Sequence, residues 1–318
     1  MQLGVLDQSP IAEGSTPAQA LHNTLDLAEH AERLGYDRYW VAEHHATPAL
    51  ACAAPEILIG AIASRTERIR VGSGGVMLPH YSPLKVAETF SSLSGLHPER
   101  IDLGLGRAPG TDQITMLALQ RDRHSQPRDD FIEQLVELLA LLEDRMPSEH
   151  PFARHARTLP GLPERPEPWL LGSSPQSAVW AAQLGLPYSF ADFINPKGAV
   201  IAADYRGNFV DSERLAASSR MMLSLLRQGR LIEIPPVEKA LRYLETRTQG
   251  KSDRRAIIGS PETVRAGLEE VAAEYHAQEL LVLTITHDHE ARRRSYELIA
   301  EAFALEENQP SSSVATPR

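Results

Sequence analysis

The chain has 318 residues, 42% hydrophobic and 23% charged, with a formal net charge of -10. That length and balance suit one large α/β barrel or two ordinary domains around a substantial core. The acidic charge disfavours nucleic acid and anionic membrane as partners, but leaves small ligands open, because a local Arg cluster can hold a phosphate in an acidic protein. Cys52 is the only cysteine, which excludes an intrachain disulfide and a thiolate metal cluster and suits a reducing compartment. No apolar run approaches the ~18 residues of a membrane span, and Met1 to Leu6 carries no basic or apolar leader pattern. A cytoplasmic protein is expected.

Short apolar runs alternate with longer helical patterns. Leu3 to Leu6 reads as a strand. Pro17 to Leu34 reads as a helix: Leu21, Leu25, Ala28 and Leu34 share a face, Thr16 can cap it, Gln19 completes a capping box and Gly35 stops it. Tyr39 to Ala42 is a strand, Ala53 to Ser64 a helix, and Ile69 to Leu78 contains a third strand. Ser82-Pro83 opens a helix, with Ser as cap and Pro in the first turn. Ile101 to Leu105 is strand four, Asp129 to Leu142 a helix, and Trp169 to Leu171 strand five. Ser174-Pro175 opens a helix to Leu184, and Pro187 to Phe190 is strand six. Ser260-Pro261 opens a late helix, Leu280 to Ile285 is a final strand and Glu290 to Ala304 a final helix. The polar stretch from Glu306 to Arg318 is expected to be a disordered tail after a single domain over residues 1–305.

Strand-then-helix alternation implies parallel strands with right-handed crossovers. A Rossmann sheet would want a Gly-rich turn after strand one; Asp7-Gln8-Ser9-Pro10 stands there instead. The expected fold class is therefore α/β, a TIM-type (β/α)8 barrel, whose chemistry sits at the C-terminal strand ends. Those ends offer Asp7, Gln8 and Ser9; Glu43, His44 and His45; Ser73, Gly74 and Gly75; Arg107 within a Gly-rich run; Ser173, Ser174 and Ser177; and Thr286, His287, Asp288 and His289.

Ser173, Ser174 and Ser177 lie where a helix starts, with unpaired N–H groups and a positive dipole end suited to phosphate. Plain capping by Ser174 also explains a Ser-Pro start, which the chain uses at Ser82 and Ser260 as well. Arg107, at the neighbouring strand end, is a fixed multi-donor cation suited to phosphate, or to a surface salt bridge. Gly74-Gly75 leaves bare backbone where something flat could press, or a tight turn. His44 is an acid or base candidate, or a hydrogen-bonded structural histidine.

Taken together, these segments resemble the bacterial luciferase-like monooxygenase superfamily. The resemblance rests on Trp40 to His45, Val71 to Pro79, Ser82 to Leu84, Arg100 to Gly110, Trp169 to Ser174 and Ala181 to Pro187, with Ile258 to Glu262 and Thr286 to Asp288 further on. It covers roughly residues 1–195 and 254–304. It implies a barrel that uses FMN, a separate reductase supplying the reduced flavin, O2 as oxidant, a small organic substrate and a homodimer. Ser73 to Gly75 would flank the flavin ring, with a cis Gly74–Gly75 peptide. Arg107, Ser173, Ser174 and Ser177 would hold the phosphate, and His44 would sit over the reactive edge. Luciferase itself has a carboxylate where Ser173 stands.

Three alternatives compete. A metal-dependent hydrolase could use His44, His45, His287, Asp288 and His289, although strand one lacks the His-x-His usual in such barrels. A flavin-binding protein without turnover and a barrel using deazaflavin F420 are the others.

Six strands by Phe190 and one at Leu280 leave Ala191 to Glu279 to supply the seventh. Ala199 to Ala203 fits a helix, while Leu231 to Ile234 and Ala256 to Ile258 are too short to be convincing strands. In look-alikes about one β/α unit, roughly 25–30 residues, separates segments like Ser212 to Ala216 and Ser218 to Met222, which abut here. The seventh strand is therefore expected to be missing near residues 216–219.

Overall fold

The computed structural model describes residues 1–107, 112–119, 129–146, 148, 150–208, 218–220 and 256–306. Its strands are β1 (Gln2–Asp7), β2 (Arg38–Val41), β3 (Arg70–Met77), β4 (Ile101–Gly106), β5 (Glu167–Gly172), β6 (Tyr188–Phe190), β7 (Ser218–Arg220) and β8 (Glu279–Val282). The helices are α1 (Pro17–Arg33), α2 (Pro55–Ala63), α3 (Pro83–Leu96), α4 (Gln113–Leu119), α5 (Phe131–Leu142), α6 (Ala153–Ala156), α7 (Pro175–Leu184), α8 (Ala199–Asn208), α9 (Pro261–Tyr275) and α10 (His289–Phe303). All ladders are parallel, in the order β6-β5-β4-β3-β2-β1-β8-β7. The expected barrel is the observed fold.

The seventh position is the thin one. The seventh strand, expected to be missing near residues 216–219, is cut down there to Ser218–Arg220, three residues that pair with β8 in the register Ser218↔Leu280 to Arg220↔Val282. β6 and β7 approach each other, yet among the described residues no ladder joins them. The curled sheet thus has a seam where the sequence pattern runs short of a β/α unit. Leu231 to Ile234 and the tail from residue 307 lie outside the described residues, and Ala256 to Ile258 forms no strand.

Local chemistry explains most element boundaries. Thr16 accepts the Gln19 N–H, and Ser174 and Ser260 accept from Ser177 and Thr263, so three of the Thr/Ser-Pro starts are capped as expected. Two expectations fail. Gln19 donates its side chain to Asn23, one turn on, rather than completing a capping box, and Ser82 makes no side-chain cap bond. Leu25 and Ala28 of α1 are buried, while Leu21 and Leu34 pack at the margin of the core.

The outward strand faces and the helices form the main core. Inside the barrel a smaller cluster stacks Leu6, Trp40, Ala42, Trp169, Leu281 and Leu283. Below it, at the N-terminal strand ends, Arg38 bridges Asp102 and Glu279, Arg70 also reaches Asp102, and the Arg38 guanidinium lies 4.7 Å from the Trp169 ring centre. The Trp40 indole N–H donates to Asp102 at 2.9 Å. An ionic floor, a Trp layer and an apolar ceiling therefore fill the barrel from the N-terminal end, leaving its C-terminal mouth for chemistry.

Candidate active site

Inward and outward residues alternate along each strand, and this sorts the strand-end groups. Asp7 turns outward. It accepts hydrogen bonds from Tyr39 Oη (2.6 Å), Thr24 Oγ1 (2.8 Å) and Arg292 (2.7 Å) beneath α1 and α10. Burial would raise its pKa, but Arg292, Tyr39 and the Ser9 N–H outweigh it and hold the carboxyl below the usual range. Asp7 therefore anchors helices to β1. Gln8, two residues beyond inward-facing Leu6, belongs to the inner face and is buried, and its Oε1 has no hydrogen-bond partner.

At the end of β2, Glu43 is fully buried. Its carboxylate accepts from the Met77 N–H (2.8 Å) and Tyr81 Oη (2.8 Å), and it pairs with His45 Nε2 (2.6 Å). It thus ties the ends of β2 and β3 together. His44 is 8% exposed, and its backbone N–H donates to Cys52 O. Burial pushes its pKa down to about 4, so the imidazole is neutral at physiological pH. The Ala42 carbonyl favours the protonated ring a little, yet Nδ1 has no partner in hydrogen-bond geometry.

On β3 the Gly74–Gly75 peptide is cis, and the β3–β4 register shifts between Gly74 and Val76. A Cβ on Gly75 would lie 2.7 Å from the Gly104 carbonyl oxygen, so only glycine fits against β4. Ser73 is buried and donates its hydroxyl to that same carbonyl at 2.9 Å. Its hydroxyl is thus spent on the barrel wall, and what this segment presents to the mouth is backbone.

Arg107, half exposed at the end of β4, pairs with Asp129 at 2.9 Å, its guanidinium 5.6 Å from the Trp180 ring centre on α7. The start of α7 is the other half of the expected anion site. Ser173 is partly buried and its carbonyl accepts from Asn195; Ser174 is exposed and caps the helix. Ser177 is buried, donating to Ser174 O at 2.8 Å and lying 2.9 Å from Tyr188 Oη. Its hydroxyl works within the protein.

The structure thus brings Arg107 to α7 and His44 to the mouth beside β3. It disperses the candidate metal ligands. His45 pairs with Glu43, His287 bonds the Glu13 carbonyl, and His289 pairs with Asp26 at 2.8 Å. Among the described residues no group of three or more His, Cys, Asp or Glu is placed to hold a metal ion. Sequence reasoning assigned no role to Gln8, Glu43, Tyr81 or Asp129. Strand alternation alone could have marked Gln8, because it continues the inward series through Leu6; the others depend on long-range contacts.

A parallel barrel with a neutral histidine, bare glycine backbone and an arginine at its C-terminal mouth has the layout of a flavin-dependent oxidoreductase. The model of the luciferase-like monooxygenase family matches residues 1–226, and the chain belongs to that family. N-acetyl-S-alkylcysteine monooxygenase of Bacillus subtilis (strain 168) is 37% identical over 332 aligned positions, covering 95% of this chain and 98% of that protein. The crystal structure of apo-MsnO8 superposes with a TM-score of 0.87 at 39% identity, covering 96% of this chain and 99% of that one. The oxygenating constituent of 3,6-diketocamphane monooxygenase from Pseudomonas putida, solved in complex with FMN, shares the fold at 20% identity with a TM-score of 0.72, over 98% and 100% of the two chains. Coverage of 95% of 318 residues is about 302, against 332 aligned positions with the Bacillus protein, so about 30 positions of that alignment fall opposite gaps in this chain. The shortfall is the size of one β/α unit.

Proposed function

We propose that the chain is an FMN-dependent monooxygenase that takes reduced flavin from a separate reductase and uses O2 to oxidise a small organic substrate. The observation that carries this reading is the pair of buried, unpartnered polar atoms at the barrel mouth, Gln8 Oε1 and His44 Nδ1. Buried polar groups are nearly always hydrogen-bonded, so an unpaired set at a barrel mouth marks a ligand position. The residues fit a flavin. Bare backbone at Gly74 and Gly75 suits a flat ring, the inner cluster ending in Ala42 and Leu283 gives it an apolar bed, and Arg107 beside α7 suits a phosphate. FMN in the diketocamphane enzyme supports the choice of FMN, and the titration below sets it against F420.

When bound, FMN supplies the electron transfer to oxygen. The chain's own residues do the rest. Arg107 and the N–H groups of the Ser173–Ser177 turn would hold the phosphate, Arg107 giving up Asp129 for it. Ser73, Gly74 and Gly75 would flank the ring. His44, neutral and shielded from water, would accept or hold a proton at Nδ1. The family resemblance supports a homodimer, and the single cysteine suits the cytoplasm. We read residues 1–305 as one barrel domain; among the described residues no helix is long and apolar enough to cross a membrane.

The test is flavin titration of purified protein with FMN and F420, followed by oxygen consumption with reduced FMN. A charge-assisted phosphate contact is worth about 1.5–3 kcal/mol, so Arg107→Ala should weaken FMN binding roughly 10–150-fold. Unchanged affinity would remove Arg107 from the phosphate site, and preferential binding of F420 would displace the monooxygenase reading.

A further inference from the structure

Seven buried side-chain polar atoms among the described residues have no hydrogen-bond partner. Two of them, Gln8 Oε1 and His44 Nδ1, lie at the ends of adjacent paired strands, where the ladder continues from Asp7↔Val41 through the Ala42 N–H donating to Asp7 O. His44 already has a role in the proposed reaction; Gln8 has none. Gln8 is 2% exposed. A buried amide oxygen that accepts no hydrogen bond is costly unless something else satisfies it. It lies two residues past Leu6, and Leu6 is the side chain nearest to Gly74: a Cβ built there would meet Leu6 Cδ1 at 2.7 Å. Gln8 therefore stands above the strand position that touches the bare β3 backbone, and far along the sheet from Arg107 and α7.

We infer that Gln8 is a cofactor-binding residue, its amide oxygen accepting a hydrogen bond from the ring of the bound flavin. The inference rests on the proposed FMN site. Gln8 Oε1 is an acceptor and needs a donor. The oxidised isoalloxazine ring, the form titrated below, carries a single N–H, at N3, and the reduced ring keeps that group, so N3–H is the donor common to both forms. Neutral amide against neutral imide also fits this wall of the mouth, where the other unpaired group, His44, is uncharged. Gln8 thus reads the ring while Arg107 reads the phosphate, and the two contacts separate with different probes.

The experiment titrates wild type, Gln8→Leu and Arg107→Ala with FMN and with riboflavin, which has the same ring and no phosphate, and records the melting temperature of each apoprotein. Gln8→Leu should weaken FMN and riboflavin by the same factor, about five- to tenfold for one neutral hydrogen bond. Arg107→Ala should weaken FMN alone. Because leucine removes an unsatisfied buried amide oxygen, apo Gln8→Leu should melt at or above the wild-type temperature. A third probe, FMN methylated at N3, should bind wild type more weakly than FMN does and should bind Gln8→Leu about as well as FMN does. Unchanged riboflavin affinity in a folded Gln8→Leu overturns the assignment, as does a fall in apo melting temperature, which marks Gln8 as structural. Wild-type protein that binds neither flavin overturns the FMN reading itself, and this inference with it.

Discussion

His44 shows how one buried residue couples chemistry to stability. Its native pKa of about 4 lies below the ordinary histidine value of 6.5. Between those values the unfolded chain takes up a proton that the native site refuses, so stability falls as pH drops from about 6.5 to about 4 and levels off below. The shift corresponds to about 3 kcal/mol across that window. His44→Gln should remove this part of the pH dependence, so urea unfolding of the variant at pH 7 and pH 4.5 should differ by less than in wild type by about that amount. The same substitution should spare flavin binding and slow oxygen transfer. A variant with wild-type turnover would show that the imidazole has no chemical role, and one that fails to fold at pH 7 would mark it as a structural histidine.

Among elements, the β3–β4 pair leaves little room for change. Three features meet there: the register shift between Gly74 and Val76, the Ser73 hydroxyl on Gly104 O, and Gly104 itself. A Cβ on Gly104 would lie 2.0 Å from Ser73 O, a backbone atom that cannot move without parting the strands. Gly104→Ala should therefore destabilise the protein by about 1–3 kcal/mol or more, read as a lower urea midpoint. Because Ser73 and Gly75 share this contact, flavin affinity should fall in the folded fraction too. A variant with wild-type midpoint and affinity would show that β3 and β4 can part without disturbing the site.

For the whole molecule, the barrel is closed at its N-terminal end by charge, while uncharged groups and glycine backbone gather at the other. Asp102 accepts from Arg38, Arg70 and the Trp40 indole, all at the N-terminal floor. Burial keeps the Glu279 carboxyl above its usual range, and Arg38 only partly offsets this. Removing one partner from such a network strands buried charge. Asp102→Ala should cost about 3–5 kcal/mol in urea denaturation, whereas loss of a surface pair such as Arg265 with Glu269 should cost less than about 1 kcal/mol. Equal effects would show that the floor is not what sets the barrel's stability. The weak side of the molecule is the β6–β7 seam, where a three-residue strand and an alignment shortfall of about 30 positions coincide in one barrel.

The order of strands and helices was legible because two periodicities, 2 and 3.6, and Thr/Ser-Pro starts are local properties that a chain carries wherever it folds. The barrel followed from alternation plus the missing Gly-rich turn after β1. The candidate strand-end residues followed from the barrel, since parallel strands put their C-terminal ends on one face. Charge state and partnership were not legible. Nothing local distinguishes Asp7, spent on Arg292 some 285 residues away, from Glu43, spent on Tyr81 and the β3 backbone, or either from His44 and Gln8, which have an atom to spare. The sequence by itself determined which groups reach the barrel mouth. Only the tertiary structure decided which of them are already satisfied by the protein, because desolvation and hydrogen bonding are set by neighbours distant in the chain.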